Sequence, residues 1–186
     1  MVLFFSDEAR FQSQANIRKM LVKVGNTPRH EMSKFSPSIM VWGGISSLGT
    51  TPLEIVVGTI DSDRYCHTLD NILMPSMKEL YGCDIVLQQD NATCHTSMVT
   101  KEHIRTLGVK LLPWPAQSPD LNPIENVWGW MKNILGGYKF KDFNEFKEKV
   151  EEIWNGISHS YLKSLIDSMD ARIDECIEAN GGHTSY

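Results

Sequence analysis

Three acidic residues next to predicted strands and helices are the side chains of this sequence best placed for chemistry. Asp7 follows an apolar run that predicts a strand, Asp90 ends another such run, and Glu125 lies at the start of a predicted helix. Carboxylates at the carboxyl ends of sheet strands face the crevice where open α/β sheets bind ligands. Because clustered carboxylates repel one another, and because Mg²⁺ prefers oxygen ligands, this pattern indicates a divalent-metal site. Such a site suits phosphoryl transfer.

Each acid also has an ordinary structural explanation. Asp7 can be a solvent-facing residue, with Glu8 beside it as the functional carboxylate, and Asp90 can be a turn residue. Glu125 falls three residues after Asn122, which is the spacing of a helix capping box. Spacing alone does not decide between these explanations and a metal site. If the carboxylates do cluster, neutralising Asp90 is expected to raise the stability of the metal-free protein slightly.

Hydrophobic patterning predicts the elements that position these acids. The predicted strands are Val2–Phe5, Ile39–Ile45, Leu53–Val57, Asp84–Gln89 and Val109–Leu112, and the predicted helices span residues 61–80, 97–107, 123–135, 143–154 and 161–179. A turn at Gly49–Pro52 joins the second and third strands into a hairpin. The order β-β-β-α-β-α-β-α with further helices predicts a single α/β domain, in which helices cover both faces of a mixed sheet.

Composition excludes several protein classes. The 186 residues suffice for one well-cored domain, and a content of 41% hydrophobic and 22% charged residues is that of a globular protein rather than a disordered or fibrous one. No apolar run approaches the roughly 20 residues needed to span a bilayer, and the short apolar start has no basic flank typical of a signal peptide. The four cysteines form no C-x-x-C pair, which predicts reduced thiols in an intracellular protein.

The charges are distributed unevenly along the chain. A net charge of −5 argues by itself against a nucleic-acid partner, because phosphate contacts require clustered positive charge. The N-terminal part nevertheless contains a basic cluster with Glu31 as its single acid, formed by Arg10, Arg18, Lys19, Lys23, Arg29 and Lys34. Residues 151–178 carry seven acids against two basic residues. The pattern predicts a basic face and a solvated acidic helix, with two unrelated solvent faces as the alternative.

Four sequence blocks resemble the catalytic domain of Tc/mariner-superfamily transposases, and the resemblance extends from Val2 to Tyr186. The blocks are Ser6-Asp7-Glu8 with Arg10-Phe11, Met40-Val41-Trp42-Gly43, Gln89-Asp90-Asn91-Ala92 with His95, and the thirteen residues from Trp114 to Asn126. Asp90 and Glu125 are separated by 34 residues. This spacing with Glu last resembles the Glu-bearing branch of the superfamily, whereas the mariner branch proper ends its triad in Asp.

The resemblance implies a ribonuclease H-like fold with a five-stranded mixed sheet. It also implies that Asp7, Asp90 and Glu125 form a D-D-E triad that holds two Mg²⁺ or Mn²⁺ ions. Asn91 and His95 are candidates for positioning the substrate, its phosphate or a water, with a histidine packed beside the loop as the alternative for His95. The basic cluster is expected to contact the DNA backbone. Outside these sets, Trp114 and Trp128 are expected to pack in the core or a loop rather than to stack on bases.

The reaction implied by the resemblance is metal-dependent cleavage at a transposon end, followed by attack of the freed 3′-hydroxyl on target DNA at a TA dinucleotide. The expected partners are transposon-end and target DNA and a second copy of the chain in a homodimer. No membrane or organic cofactor is expected, and the expected location is intracellular and nuclear.

Transposases of this superfamily carry helix-turn-helix domains upstream of the catalytic domain. Because the first predicted strand begins at Val2, residues 1–186 are expected to be the catalytic domain alone, with the DNA-reading domains absent. The alternative function is that of a catalytically silent or domesticated remnant, which acts as a DNA- or protein-interaction domain.

Overall fold

The computed structural model describes residues 2–13, 38–82 and 85–186, and its centre is a mixed β-sheet. The strands are β1 (Val2–Gln12), β2 (Ser38–Ser46), β3 (Gly49–Thr50), β4 (Glu54–Val56), β5 (Ile85–Gln88) and β6 (Lys110–Leu111). They follow the order β3-β2-β1-β5-β6, and β4 also pairs with β2. β1 is antiparallel to β2 and parallel to β5, which is in turn parallel to β6. The predicted mixed sheet is confirmed, although its third strand consists of two pieces, β3 and β4.

Helices follow the strands much as the periodicity predicts. The α-helices of the described ranges are α1 (Ser62–Thr68), α2 (Met74–Ser76), α3 (Thr93–Thr96), α4 (Met98–Leu107), α5 (Pro123–Leu135), α6 (Phe143–Asn155), α7 (His159–Asp167) and α8 (Met169–Glu178). They are joined by π-helical turns at Leu69–Leu73 and Met77–Tyr81 and by a 3₁₀ turn at Pro119–Leu121. The single helix predicted for residues 161–179 is divided into α7 and α8. At the division the Ser168 hydroxyl donates to the Leu165 carbonyl, a local bond that competes with regular helix.

Strand β1 is longer than the sequence predicts. Asp7 and Glu8 were expected to follow a strand that ends at Phe5, but antiparallel pairing with β2 continues to Gln12. The backbone groups of both acids therefore have strand partners, which local sequence does not reveal. Pairing with β5 stops at Phe5, opposite Gln88, so Asp7 lies just beyond the end of β5. The predicted proximity of Asp7 to the carboxyl end of β5 is thus retained.

Each face of the sheet has its own apolar core. On one face α5, α6, α7 and α8 pack against Phe5, Phe11 and Val41, and the layer contains Trp128 and Trp154. On the other face, Phe4 and Trp42 pack against residues from α1 and α4. This arrangement confirms that helices cover both faces. Asp7 projects from β1 toward the α5 side, where Trp128 contacts it.

Two further expectations concern the membrane and the cysteines. Among the described residues no helix combines the length and the apolar character needed to cross a membrane. Cys66, Cys94 and Cys176 are free thiols, as predicted, and Cys83 lies outside the described residues.

Gly43 of β2 gives the two core tryptophans room to approach the sheet beside Asp7, its register partner. A Cβ atom at Gly43 would lie 2.8 Å from Trp154 Cη2 and 3.0 Å from Trp128 Cη2. Gly43→Ala is therefore expected to destabilise the fold by about 1–3 kcal/mol, as overpacked core substitutions do. Urea denaturation measures the change, and the control is Gly129→Ala, whose Cβ meets nothing within 4 Å on the exposed side of α5. A Gly43→Ala protein as stable as the parent would contradict this packing.

Candidate active site

The three predicted acids line one cleft at the carboxyl end of β5. Asp7 comes from β1, Asp90 follows β5, and Glu125 lies in the first turn of α5. The cleft has a volume of about 360 Å³, and its opposite wall is the loop from Trp114 to Pro119. Three chain segments that are far apart in the sequence therefore bring carboxylates to the same concave surface.

Asp7 is a partly buried carboxylate close to two other negative charges. Burial, together with the negative charges of Glu125 and Glu8, raises the pKa of Asp7 from 3.8 to about 7. The indole N–H of Trp128 donates to Asp7 Oδ2 over 3.2 Å and partly opposes this shift. The ionised form of Asp7 is therefore unfavourable without a positive charge nearby, and a cation bound in the cleft would provide that charge.

Asp90 lies in a different environment, since positive charge is already beside it. Its Oδ1 atom is 2.6 Å from Nδ1 of His95 and also accepts a hydrogen bond from the Ala92 N–H over 2.9 Å. The hydrogen bond to His95 holds the pKa of Asp90 below its ordinary value. The turn predicted as an alternative explanation for Asp90 does form, but 53% of the Asp90 side chain remains exposed at the cleft.

His95 joins Asp90 to Glu8 beneath the cleft. Its side chain is 2% exposed, its Nε2 atom lies 3.2 Å from Glu8 Oε1, and its ring packs against Tyr65 at 4.1 Å between centroids. Burial by itself lowers the pKa of His95, but the hydrogen bonds to Asp90 and Glu8 outweigh burial and raise the pKa to about 10. Both ring nitrogens of the resulting cation are bonded to carboxylates. The geometry therefore favours an indirect role through Asp90 over direct contact with a phosphate.

Glu125 is not used as a helix cap. In a capping box the glutamate carboxylate accepts a hydrogen bond from the backbone N–H of the N-cap residue. Here the N–H of Asn122 donates instead to the Pro119 carbonyl over 2.9 Å. The Asn122 side chain makes no capping hydrogen bond, although Asn122 is the N-cap residue of α5 by position. Glu125 is exposed at the cleft, where its carboxylate raises the pKa of Asp7.

The loop opposite the carboxylates is held by contacts at both of its ends. Asn91 Nδ2 donates to the Trp114 carbonyl over 3.0 Å, so the predicted substrate-positioning residue Asn91 also ties the β5 end to this loop. At the other end Arg172 of α8, only 1% exposed, donates to the Asp120 carbonyl and to Asn126 Oδ1. The sequence placed Arg172 in a solvated acidic helix, and its buried role is a correction that depends on the packing of α8 beside the loop.

One of the six residues predicted to contact the DNA backbone lies within the described residues. Arg10 is exposed on β1 and pairs with Met40 in the register. The remaining members of the basic cluster lie outside the described residues; they are Arg18, Lys19, Lys23, Arg29 and Lys34.

The two tryptophans that were expected to pack rather than to stack on bases differ in exposure. Trp128 is in the core, as predicted, whereas Trp114 is half-buried against Phe5 and lines the cleft. Sequence reasoning did not identify the contact between Trp128 and Asp7. The available signal was that Trp128 lies one helical turn after Glu125 and so shares its side of α5.

The donor set of the cleft fits a hard divalent cation. Asp7, Asp90 and Glu125 provide carboxylate oxygens, the ligands preferred by Mg²⁺ and Mn²⁺. Asn122 lines the same cleft, and its buried Oδ1 atom is an acceptor without a hydrogen-bond partner in the described part of the chain. No group of three His, Cys, Asp or Glu side chains in the described ranges forms a ready-made metal cage. The three carboxylates thus line one cleft without forming a closed cluster of metal ligands in this part of the chain.

Comparison with known proteins identifies relatives of the whole cleft-bearing region. The family model for DDE superfamily endonucleases matches residues 2–147. The Tcb1 transposase of Caenorhabditis briggsae is 38% identical over 149 residues, and the Tc1 transposase of Caenorhabditis elegans is 36% identical over 149 residues. In both cases the match covers 80% of this chain and 55% of the relative. The chain therefore spans about half the length of the curated relatives that it matches.

Solved structures of the Mos1 mariner transposase share the fold. A paired-end complex with Mg has a TM-score of 0.86 at 20% identity, over 99% of this chain and 57% of that chain. The isolated Mos1 catalytic domain has a TM-score of 0.79 at 19% identity, over 98% of this chain and 84% of that chain. These similarities confirm the predicted ribonuclease H-like fold.

Proposed function

This chain belongs to the DDE superfamily endonuclease family, and we propose that it is the catalytic domain of a cut-and-paste DNA transposase. In the proposed reaction a phosphodiester bond at a transposon end is hydrolysed. The freed 3′-hydroxyl then attacks a phosphodiester of target DNA at a TA dinucleotide. A new phosphodiester bond forms, and the bond to the target strand's 3′-oxygen breaks, so that this oxygen leaves as a 3′-hydroxyl. Both steps are in-line displacements at phosphorus, so one site can serve both.

The proposal depends above all on the meeting of Asp7, Asp90 and Glu125 at one cleft. When bound there, two Mg²⁺ or Mn²⁺ ions supply Lewis-acid activation of the nucleophile and stabilisation of the leaving oxygen. The homology to Tc1 and Tcb1 transposases supports this role, and so do the Mos1 complexes that contain Mg or Mn.

The chain's own residues have separate roles in the proposed reaction. Asp7, Asp90 and Glu125 hold the ions, and the charged His95 keeps Asp90 ionised and oriented through its Nδ1 atom. Asn91 ties the end of β5 to the loop that begins at Trp114 and so keeps the cleft at a defined width. The substrate is expected to lie between this loop and the carboxylates.

The direct test is nicking of supercoiled plasmid DNA by the purified 186-residue chain. Open-circular product is expected with Mg²⁺ or Mn²⁺ and none with EDTA. A chain with neither metal-dependent nicking nor metal-dependent thermal stabilisation would contradict the proposal. That outcome would support the alternative of a silent remnant that serves as an interaction domain. The Asp90→Asn variant described below serves as the inactive reference.

The proposed partners are transposon-end DNA, TA target DNA and a second copy of the chain, and the proposed location is the nucleus. The Mos1 left-end paired-end complex supports a DNA partner. For this chain the DNA contacts are proposed to come mainly from the N-terminal basic cluster, of which Arg10 is exposed on β1.

We expect DNA binding by this chain to be weak, insensitive to sequence and steeply dependent on salt. If all six residues of the basic cluster contact phosphates, log Kd should change with log salt concentration with a slope of about 5, and Kd should be roughly 10⁻⁶ to 10⁻⁴ M at physiological salt. Fluorescence anisotropy with two unrelated duplexes measures both quantities. The double variant R18Q/K19Q should lower the slope by about 2. Nanomolar binding to one duplex alone would contradict this expectation.

A further inference from the structure

Trp128 is the one tryptophan of α5 whose indole N–H reaches a cleft carboxylate among the described residues. The side chain is 1% exposed, and its N–H donates to Asp7 Oδ2 over 3.2 Å. A buried indole N–H needs an acceptor. That acceptor here is a charged group of the proposed metal site rather than a backbone carbonyl, so the bond does more than satisfy the tryptophan.

The Trp128 ring is held on several sides. It stacks on Trp154 at 5.1 Å between centroids with 22° between the planes, and it meets Phe11 edge-on at 5.8 Å. Gly43, the register partner of Asp7, leaves the space that the Trp128 ring end occupies. A ring confined in this way presents its N–H in one direction, because tight packing leaves little rotamer freedom.

The position of Trp128 along α5 connects two of the three cleft acids. Trp128 lies one helical turn after Glu125, so the helix that carries Glu125 also carries the donor to Asp7. Asp7 and Glu125 line the same cleft, and two ionised carboxylates at this proximity repel each other. A donor on the same helix fixes the distance of Asp7 from that helix against this repulsion.

We propose that Trp128 is a positioning residue, whose indole N–H holds one oxygen of Asp7 so that the other oxygen is available to a divalent cation. This role rests on the proposed function. Partners that orient metal ligands typically contribute a factor of 10–100 to metal affinity or activity. Trp128 matches this description, since its N–H contacts the carboxylate while its side chain is only 1% exposed.

The experiment compares Trp128→Phe with Trp154→Phe in the full chain. Both variants shrink the same tryptophan stack and remove one buried N–H donor, but the Trp154 N–H donates to the Thr51 carbonyl and not to a cleft acid. The measurement is the Mn²⁺ concentration that gives half of the metal-dependent rise in melting temperature. We expect this concentration to increase about 10- to 100-fold in Trp128→Phe and to stay unchanged in Trp154→Phe, although both proteins melt lower without metal.

A second variant keeps the test informative if the first does not fold. Trp128→Met then replaces Trp128→Phe, since methionine fills irregular apolar space and has no hydrogen-bond donor.

Equal shifts in Trp128→Phe and Trp154→Phe would overturn the positioning role, and so would an unchanged Mn²⁺ response in Trp128→Phe. In both cases the Mn²⁺ response of the parent would still support the proposed function. A parent protein without any Mn²⁺-dependent stabilisation would instead overturn the proposed function and this role together.

Discussion

Asp90→Asn is expected to reduce metal-dependent DNA nicking by about a thousandfold or more, since a bound ion contributes several kcal/mol to the transition state and 1.36 kcal/mol is tenfold in rate. The substitution keeps the shape of the side chain but removes the negative charge that holds a hard cation. Plasmid nicking at saturating Mg²⁺ and Mn²⁺ measures the loss. A neutral residue at this position also leaves the charged His95 with Glu8 as its remaining bonded carboxylate.

The same variant is expected to melt lower than the parent in metal-free buffer. Asp90 is ionised in the fold by its hydrogen bond to His95, and its pKa is lowered, so losing the charge removes a favourable interaction. A hydrogen bond of this kind on a half-exposed group is worth about 1 kcal/mol, which corresponds to roughly 2–4 °C for a chain of this size. The matched control is Asp174→Asn, an exposed aspartate of α8, which should alter neither property. Nicking by Asp90→Asn at the parent rate would exclude Asp90 as a metal ligand.

Asp7→Asn is expected to have the opposite effect on stability while also abolishing metal-dependent nicking. The pKa of Asp7 is raised from 3.8 to about 7 by burial and by Glu125 and Glu8, so the ionised carboxylate destabilises the metal-free fold. Removing that charge should stabilise the protein by a few kcal/mol above pH 7, with about 4 kcal/mol as an upper bound. The melting temperature should then rise by roughly 5–10 °C.

Because the pKa of Asp7 is raised in the fold, the stability difference between the parent and Asp7→Asn depends on pH. A carboxyl group with a raised pKa in the fold binds its proton more tightly when folded, so the parent is not penalised below pH 3.8. The penalty grows as the pH rises toward about 7 and is then constant. The parent and Asp7→Asn should therefore melt together near pH 4 and differ most at pH 8, in buffer with EDTA.

Added Mn²⁺ should reverse the order of the two proteins. The ion stabilises the parent by binding its folded state and has little effect on Asp7→Asn, as binding linkage requires. Differential scanning fluorimetry across pH with and without Mn²⁺ measures both effects, and Asp174→Asn again serves as the control. If the melting temperatures of the parent and Asp7→Asn differ by the same amount at pH 4 and at pH 8, the pKa of Asp7 is not raised in the fold.

Local patterns in the sequence were sufficient to predict the fold class and to indicate the three acids as candidates. Strand and helix periods depend on neighbouring residues, and they correctly predict β2 and α5 and the helices on both sheet faces. The block from Trp114 to Asn126 and the block around Asp90 carry the family resemblance, because each is a short contiguous motif. The approach of Asp7 to Asp90 follows from the parallel pairing of β1 with β5, whereas Glu125 reaches the same cleft from the first turn of α5.

Tertiary packing determined the burial, the charged neighbours and therefore the pKa of each acid. From spacing alone the three carboxylates are equivalent, and Asp90→Asn was expected to relieve repulsion and stabilise the protein. In the structure His95 compensates Asp90, whereas Asp7 is buried near Glu125, so relief of repulsion is expected at Asp7 instead. The difference arises because pKa shifts depend on burial and on the charges within a few ångströms, and neither quantity is a property of local sequence.

The same reason explains the residues that sequence patterns missed or misassigned. Trp128 and Asp7 are 121 positions apart, and Arg172 bonds to the carbonyl of Asp120, 52 positions away. His95 is five positions from Asp90, but its second partner, Glu8, is 87 positions away. Spacing determines which side chains share an element. The partners of a buried polar group depend on how the elements pack, because most such groups find their hydrogen bond within the folded chain.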